Sequence, residues 1–477
     1  MMKKRNALIG LTLLLSVMIS CQRDHKTDKG LNGHWNSLGS GWILNIQDST
    51  SYSFYDLTKI SCLPARKGSL DEIMSSLRIE NDTLVLRKGI VDYSFIRTAE
   101  MPELCSKDLD SAKVNDPLFN FEVFAQIVGE HYAFFDLNQL NWDSLYREQR
   151  NKLNPSSTDL DLYNVIDETL ERLNDNHAYL EASPEVYDMM PSEEDSPEQE
   201  NESLPEYGDF QVADLVVSNH LEEDMTQDSW LIKWGKLQEG MGYIQVKAMW
   251  LFADLKIDLE LIEEVGYVDA YVQTFHQMYE GTYIQKEVKG VSQIMDRVMS
   301  DLEDMDAIVI DVRFNGGGQD AVSFEILNRF TSGSVQIATR KLRDGDNFTP
   351  VQTLSLSGNP NAFNKPVYVL TSPQTGSAAE AFSIATLDME QIQRIGSPTA
   401  GALSTALEKT LPNGWVFSIS NEIYMDNMGV AYENQGIPVN LDFNYSRDRQ
   451  EFFRSVVNDL EKDKDDILKA ITELESK

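Results

Sequence analysis

Thr371-Ser372-Pro373-Gln374-Thr375-Gly376-Ser377-Ala378-Ala379-Glu380 sets a serine where one regular element gives way to another. Immediately before it, Pro366-Val-Tyr-Val-Leu370 is a short apolar run of the kind that forms a buried strand. Immediately after it, Ala378, Ala381, Phe382 and Ala385 recur at helical spacing with no breaker before Asp388. The pattern predicts strand, tight turn and helix, with Ser377 at the helix start. Backbone N–H groups at that place lack intrahelical acceptors and the helix dipole favours negative charge, so an oxyanion forming beside Ser377 would be stabilised. An isolated Gly-Ser in this position is ordinarily only an N-cap. The rest of the chain decides between cap and nucleophile.

A second motif, Ala307-Ile-Val-Ile-Asp311-Val-Arg313-Phe-Asn315-Gly316-Gly317-Gly318, reads as another buried strand followed by three glycines. Glycine lets the backbone approach a ligand closely and adopt positive φ. A strand, glycine loop and helix also suit a phosphate, but the chain has neither G-x-x-x-x-G-K-[ST] nor G-x-G-x-x-G, which argues against nucleotide binding.

The 477 residues suffice for two or three domains with substantial cores. A hydrophobic content of 42% and a charged content of 25% are those of an ordinary globular protein. The formal charge of −36 opposes binding to phosphate backbones, so nucleic acid is not an expected partner. No stretch reaches the roughly 20 apolar residues of a membrane-spanning helix. The amino terminus has its own signature: Lys3-Lys4-Arg5, then largely apolar residues 7–19, then Ser20-Cys21. This is the layout of a secretory signal. The Ser-Cys junction resembles a bacterial lipobox, with Met18 where Leu or Val is usual. Lipidation of Cys21 would anchor the protein in the bacterial cell envelope, and residues 22–29 would act as a tether; a plain secreted protein is the alternative. Cys62 and Cys105 then remain, either paired in an oxidising compartment or as two buried thiols.

Six segments are expected: a signal peptide over 1–20, a tether over 21–30, a small β-rich module over 31–105, a helical segment over 115–180, an acidic mobile segment over 181–209, and an alternating strand–helix core over 210–477. In the β-rich module, residues 42–46, 51–55, 77–79 and 83–86 are strand-like runs broken by Gly, Asn and Asp. Helix starts are marked by Asp116-Pro117 and Asn141-Trp142-Asp143. A third helix carries the apolar stripe Leu162, Val165, Ile166, Leu170 and Leu173, and ends at Asn174-Asp175-Asn176-His177. Residues 181–209 contain no Lys or Arg and are rich in Pro, Ser, Glu and Asp, the composition of a solvated segment. Residues 456–474 read as one amphipathic packing helix.

Together these motifs resemble the S41 peptidases, the group of tail-specific processing proteases and tricorn-like proteases. Residues 120–180 look like the family's helical N-terminal segment and Gly242-Tyr-Ile-Gln-Val246 like the strand that leads into its core. Ile395-Gly396-Ser-Pro-Thr399-Ala-Gly401, Leu411-Pro-Asn-Gly414 and Tyr432-Glu433-Asn-Gln-Gly436-Ile-Pro438 resemble the motifs that follow the serine, in the same order. The resemblance implies an α/β fold with a ClpP/crotonase-like core. Many members carry a PDZ domain between helical part and core; residues 182–241 leave too little room for one, so none is expected.

A serine hydroxyl needs a base. The tail-processing branch uses a lysine in a Thr-x-Gly-Lys motif, and the matching stretch here is Thr399-Ala400-Gly401-Ala402. The lysine is missing, and Lys409 reads as a surface or strand residue. The tricorn-like branch uses a histidine at the end of the helical segment, where His177 stands. A lone histidine at a helix exit is usually structural, but the missing lysine favours His177 as base. The resemblance further implies Glu433 as the carboxylate behind the imidazole, in Glu433-Asn434-Gln435-Gly436-Ile437-Pro438, against the plain reading of an exposed loop glutamate. Asn176 stands where tricorn-like members often have serine. The Ala378 N–H is the first oxyanion donor and the glycine loop supplies the second, with Gly317 ahead of Gly316. Asp311, Arg313 and Asn315 are expected to shape that loop, and Glu380 to complement the helix dipole. No H-E-x-x-H or C-x-x-C exists, so neither metal nor cofactor is expected. The expected activity is serine endopeptidase, acting on peptide or protein substrates. The alternatives are a non-catalytic relative that keeps the cleft for peptides or apolar ligands and, more remotely, an acyl-transfer enzyme on a crotonase-type fold.

Overall fold

In a computed structural model of the chain, residues 28–190 and 206–476 are described. The expected signal peptide, Cys21, most of the expected tether and residues 191–205 of the acidic stretch lie outside the described residues. The fold is mixed α/β with a β-rich N-terminal sheet.

That N-terminal sheet has seven antiparallel strands in the spatial order Cys62–Ser69, Ser51–Leu57, Trp42–Ile46, Gly33–Ser37, Val91–Thr98, Thr83–Lys88, Leu77–Glu80. Side chains of Ser51–Leu57 alternate between burial and exposure, as one buried face requires. The buried face collects Trp35, Leu44, Tyr52, Phe54, Leu86 and Phe95. Cys62 and Cys105 form a disulfide with Cα atoms 5.0 Å apart, tying the segment that leaves the sheet to its edge strand.

Three capped helices follow. The Asp116 carboxylate accepts from Leu118 N–H (3.0 Å) at the start of Pro117–His131, Asn141 Oδ1 accepts from Ser144 N–H (2.8 Å) at Trp142–Arg150, and Thr158 opens Asp159–Leu173. Asn174 closes the last helix at φ 52°, a left-handed value that asparagine tolerates. The apolar faces of these helices meet Leu407, Trp415, Phe417 and Ile419 in one core cluster.

The main sheet runs Leu441–Asp442, Ile392–Gly396, Val367–Thr371, Ala307–Asp311, Met241–Val246, Ile232–Gln238, Glu223–Asp224. Its first five strands are parallel and Ile232–Gln238 is antiparallel to its neighbours. Ile308, Ile310, Val367 and Val369 face one core, together with helices Glu280–Asp301, Asp320–Leu327 and Ala378–Ala385. Ala307, Val309, Tyr368 and Leu370 face the other, against Asp209–His220, Arg449–Val457 and Leu460–Glu475. Burial on both faces is why these strands are apolar throughout rather than alternating. Two smaller sheets complete the fold. One is built around Val335–Asp344; the other is Ala406–Thr410, Val416–Ser420 and Tyr179–Glu181.

Three expectations need correction. The ends of the acidic stretch are structured: Glu181 closes a strand, Val186 is buried in helix Pro184–Asp188, and Asp209 begins helix Asp209–His220. The C-terminal stripe is two helices, because the Asp459 carboxylate accepts from Lys462 N–H (3.1 Å) and caps a second start. Lys409 is a strand residue but not a surface one. It is 3% exposed, donates to Ser40 C=O (2.7 Å) and pairs with the Asp56 carboxylate.

Candidate active site

Ser377 sits between strand Val367–Thr371 and helix Ala378–Ala385 with φ 52° and ψ −121°. That backbone region is sparsely populated for any residue with a Cβ and marks a strained turn. The turn is held by the Ser377 N–H, which donates to Ala402 C=O (3.1 Å) and Glu380 Oε2 (3.2 Å). Its hydroxyl makes no helix-capping bond. Instead Oγ lies 3.2 Å from His177 Nε2, across 200 positions of sequence.

His177 is fixed by its backbone. Asp175 Oδ1 accepts its N–H (2.9 Å), the Ser418 hydroxyl donates to its C=O, and the following strand Tyr179–Glu181 pairs with Val416–Ser420. The same Asp175 carboxylate accepts the Ser420 N–H and hydroxyl, both at 2.7 Å. Burial lowers the His177 pKa from its ordinary value, and the Asp175 charge opposes that shift. Nδ1 is buried without a hydrogen-bond partner among the described residues.

Glu433 is 5% exposed and makes no hydrogen bond to His177 in this structure. Its Oε2 accepts Leu403 N–H (3.0 Å) and Ser404 N–H (3.1 Å). Burial, aided by repulsion from Glu380, pushes its pKa up to about 8. Glu380 is fully buried and accepts from Thr399 Oγ1 (2.6 Å), Gly401 N–H (2.7 Å), Ala402 N–H (2.7 Å) and Ser377 N–H. Burial raises it to about 7 against the pull of those donors. Four consecutive amides, 401–404, are therefore held by two carboxyl groups. Ala402, at the position expected for a lysine, is part of this brace. Asn176 only reaches Gly401 C=O, at 3.4 Å.

The glycine loop packs directly on Ser377. A Cβ on Gly317 would lie 2.7 Å from Ser377 Cβ and 2.8 Å from Gly376 C=O, and its φ is 116°, so only glycine fits. The Gly317 N–H is taken by Asn315 Oδ1 (2.9 Å), while the Ala378 N–H is among the helix-start donors that have no intrahelical acceptor. Asn315 also donates to Val246 C=O (3.0 Å), and Arg313 is buried between Asp311 and Asp463. Ser377 and His177 open into a cavity of about 260 Å³ whose far wall is Lys88–Val91 of the N-terminal sheet and its connecting turn. Among the described residues no cluster of His, Cys, Asp and Glu is arranged to hold a metal, and no helix is long and apolar enough to cross a membrane.

The structure thus brings Ser377, His177, Gly317 and Ala378 together and leaves Glu433 behind the 403–404 amides. Sequence reasoning missed Asp175 and the brace made by Glu380. The polar run 174–177 held the only hint of the former.

The sequence pattern of peptidase family S41 matches residues 241–443. A crystal structure of a candidate peptidase from Parabacteroides merdae is similar to this chain at 18% identity, covering 72% of this chain and 96% of its own, with a TM-score of 0.51. Mature CPAF in complex with lactacystin is similar at 11% identity, covering 76% of this chain and 100% of its own, also with a TM-score of 0.51. At these identities the two structures support the fold alone.

Proposed function

We propose that the chain, whose residues 241–443 match the sequence pattern of peptidase family S41, is an envelope-tethered serine endopeptidase with Ser377 as nucleophile and His177 as base. The observation that carries the reading is the 3.2 Å approach of His177 Nε2 to Ser377 Oγ. Nε2 takes the hydroxyl proton as Oγ bonds to the scissile carbonyl carbon, and the carbonyl π electrons move onto oxygen. The Ala378 N–H meets that oxyanion, and Gly317 supplies the second donor once Asn315 releases its N–H. Collapse of the intermediate breaks the C–N bond, with Nε2–H protonating the leaving amine. Water then repeats the sequence to free the acyl group.

Accepting at Nε2 requires the neutral tautomer with its proton on Nδ1. Asp175 supplies a negative field beside the ring, and Glu433 feels the charges of both Glu380 and Asp175. We assign Glu433 as the third member of this cluster, the carboxyl group whose ionisation favours the imidazolium.

A fluorophosphonate probe tests the assignment, because it labels only an activated serine. The wild type should label, and Ser377→Ala and His177→Ala should not, with peptide hydrolysis falling roughly 10⁴-fold or more in each. An unlabelled wild type would leave a peptide-binding relative without catalysis. For the tether we propose lipidation at Cys21, so the mature protein should partition into detergent and Cys21→Ser should abolish lipid labelling. A wholly soluble wild type with another N-terminus would refute the anchor alone.

A further inference from the structure

The cavity at Ser377 continues into a second one of about 420 Å³, enclosed between the N-terminal sheet and the segment around Tyr279. Lys88, Tyr93, Glu280, Gln319, Thr405 and Ala406 line both, so the two form one cleft. Six aromatic residues line the larger space, beside the charged Arg66, Lys88, Glu280, Glu408 and Glu422. Trp42, Phe54 and Tyr93 come from the N-terminal sheet, and Phe275, Tyr279 and Tyr283 from the opposite side. Trp42 and Tyr93 are 5.3 Å apart between centroids, and Phe275 stacks on Tyr283 at 4.3 Å. Tyr279 is 5% exposed, and its hydroxyl is buried without a hydrogen-bond partner among the described residues.

The wall is rigidly mounted. Lys88 Nζ pairs with Glu280 (2.6 Å) and lies 4.7 Å from the Trp42 ring centroid, linking the sheet to the core at the point where the two cavities join. Lys409 pairs with Asp56, and Arg340 pairs with Glu422 while donating to Asp92 C=O (3.2 Å), so two more buried ties cross the same boundary. A loosely attached module would need none of these.

We infer that the N-terminal sheet is one wall of the substrate cleft, and that the ring-lined cavity is a specificity subsite for an aromatic side chain of the bound peptide. The substrate class rests on the peptidase reading; the aromatic preference rests on the cavity. An aromatic side chain suits it because ring faces and edges on both walls offer stacked and edge-on contacts. The space is large enough for a ring and its backbone.

Binding without turnover tests this. The probes are decapeptides in which a single Phe is walked along an otherwise Ala-, Ser- and Gly-based sequence, titrated calorimetrically into the Ser377→Ala protein. One position should tighten binding about tenfold or more, the return for burying one large ring. Trp42→Ala, and Ala65→Trp on the exposed rim of the cavity, should each erase that gain. Because Ala65 is exposed, its replacement tests the cavity even if Trp42→Ala does not fold. No gain at any position, or a gain that survives in the variants that fold, would overturn the subsite. Fluorophosphonate labelling of the wild type reports separately on Ser377, so a failed subsite and a failed peptidase reading give different results.

Discussion

Replacing Glu433 with glutamine should make the protein less sensitive to alkali. In the unfolded chain a glutamate carboxyl titrates at its ordinary 4.5, whereas in the fold Glu433 holds its proton up to about 8. Below pH 4.5 both states are protonated and the carboxyl costs nothing. Above it the unfolded state loses its proton first, so stability falls by about 1.4 kcal/mol per pH unit until the folded group also ionises. The ceiling is about 5 kcal/mol at pH 9, shared with Glu380, because ionising one member of the pair makes the other harder to ionise. Glutamine keeps a carbonyl oxygen for the Leu403 and Ser404 N–H groups and removes the charge. Urea unfolding followed by tryptophan fluorescence at pH 5, 7 and 9 measures the effect. The variant and the wild type should differ little at pH 5, and the variant should be several kcal/mol the more stable at pH 9. Parallel curves across that range would mean that Glu433 ionises normally in the fold. In turnover, the wild type should show an inflection in kcat/KM near pH 8 that the variant lacks.

Burial lowers the His177 pKa, so its neutral form persists into more acid solution, and the acid limb of kcat/KM should have its midpoint below 6.5; a midpoint above 7 would point to another base. Lys409→Met strands the buried Asp56 carboxylate and should cost about 3–5 kcal/mol in urea unfolding, with much of the loss recovered when Asp56→Leu is added. Equal stability of the single variant and the wild type would contradict the ion pair. Gly317→Ala places a methyl 2.7 Å from Ser377 Cβ at a backbone angle alanine avoids, and fluorophosphonate labelling should fall by at least 10²-fold; undiminished labelling would mean that the loop does not touch the nucleophile.

What the sequence made legible was local. The change from strand to helix around Ser377, the glycine run after Asp311, and the cap at Asp116-Pro117 are all written within ten or so residues, and each stands where the pattern predicts. His177 was reached through the order of family motifs, since nothing in its neighbours requires catalysis. Contacts between distant residues were illegible. Asp175 meets Ser420 across 245 positions, and Lys409 meets Asp56 across 353. Composition alone makes such a lysine a surface residue. The break at Asp459 was hidden for a different reason: the apolar stripe continues through it, and only the side-chain bond to Lys462 N–H restarts the helix. The positive φ of Ser377 could not be read either, because it is imposed by Ala402 and Glu380 rather than by Ser377's own preferences.

His177 and Ser377 belong to opposite ends of the assembly order. His177 is aimed only when Tyr179–Glu181 has paired with Val416–Ser420 and Ser418 has closed on its carbonyl. A chain that grows or emerges from its amino terminus therefore presents His177 long before Ser377, and Ser377 before the strand Val416–Ser420 that pairs beside the histidine. Pairings this distant close last, after the local helices have formed. A chain cut between residues 378 and 415 would therefore carry both His177 and Ser377 but lack the strand Val416–Ser420 that pairs beside the histidine.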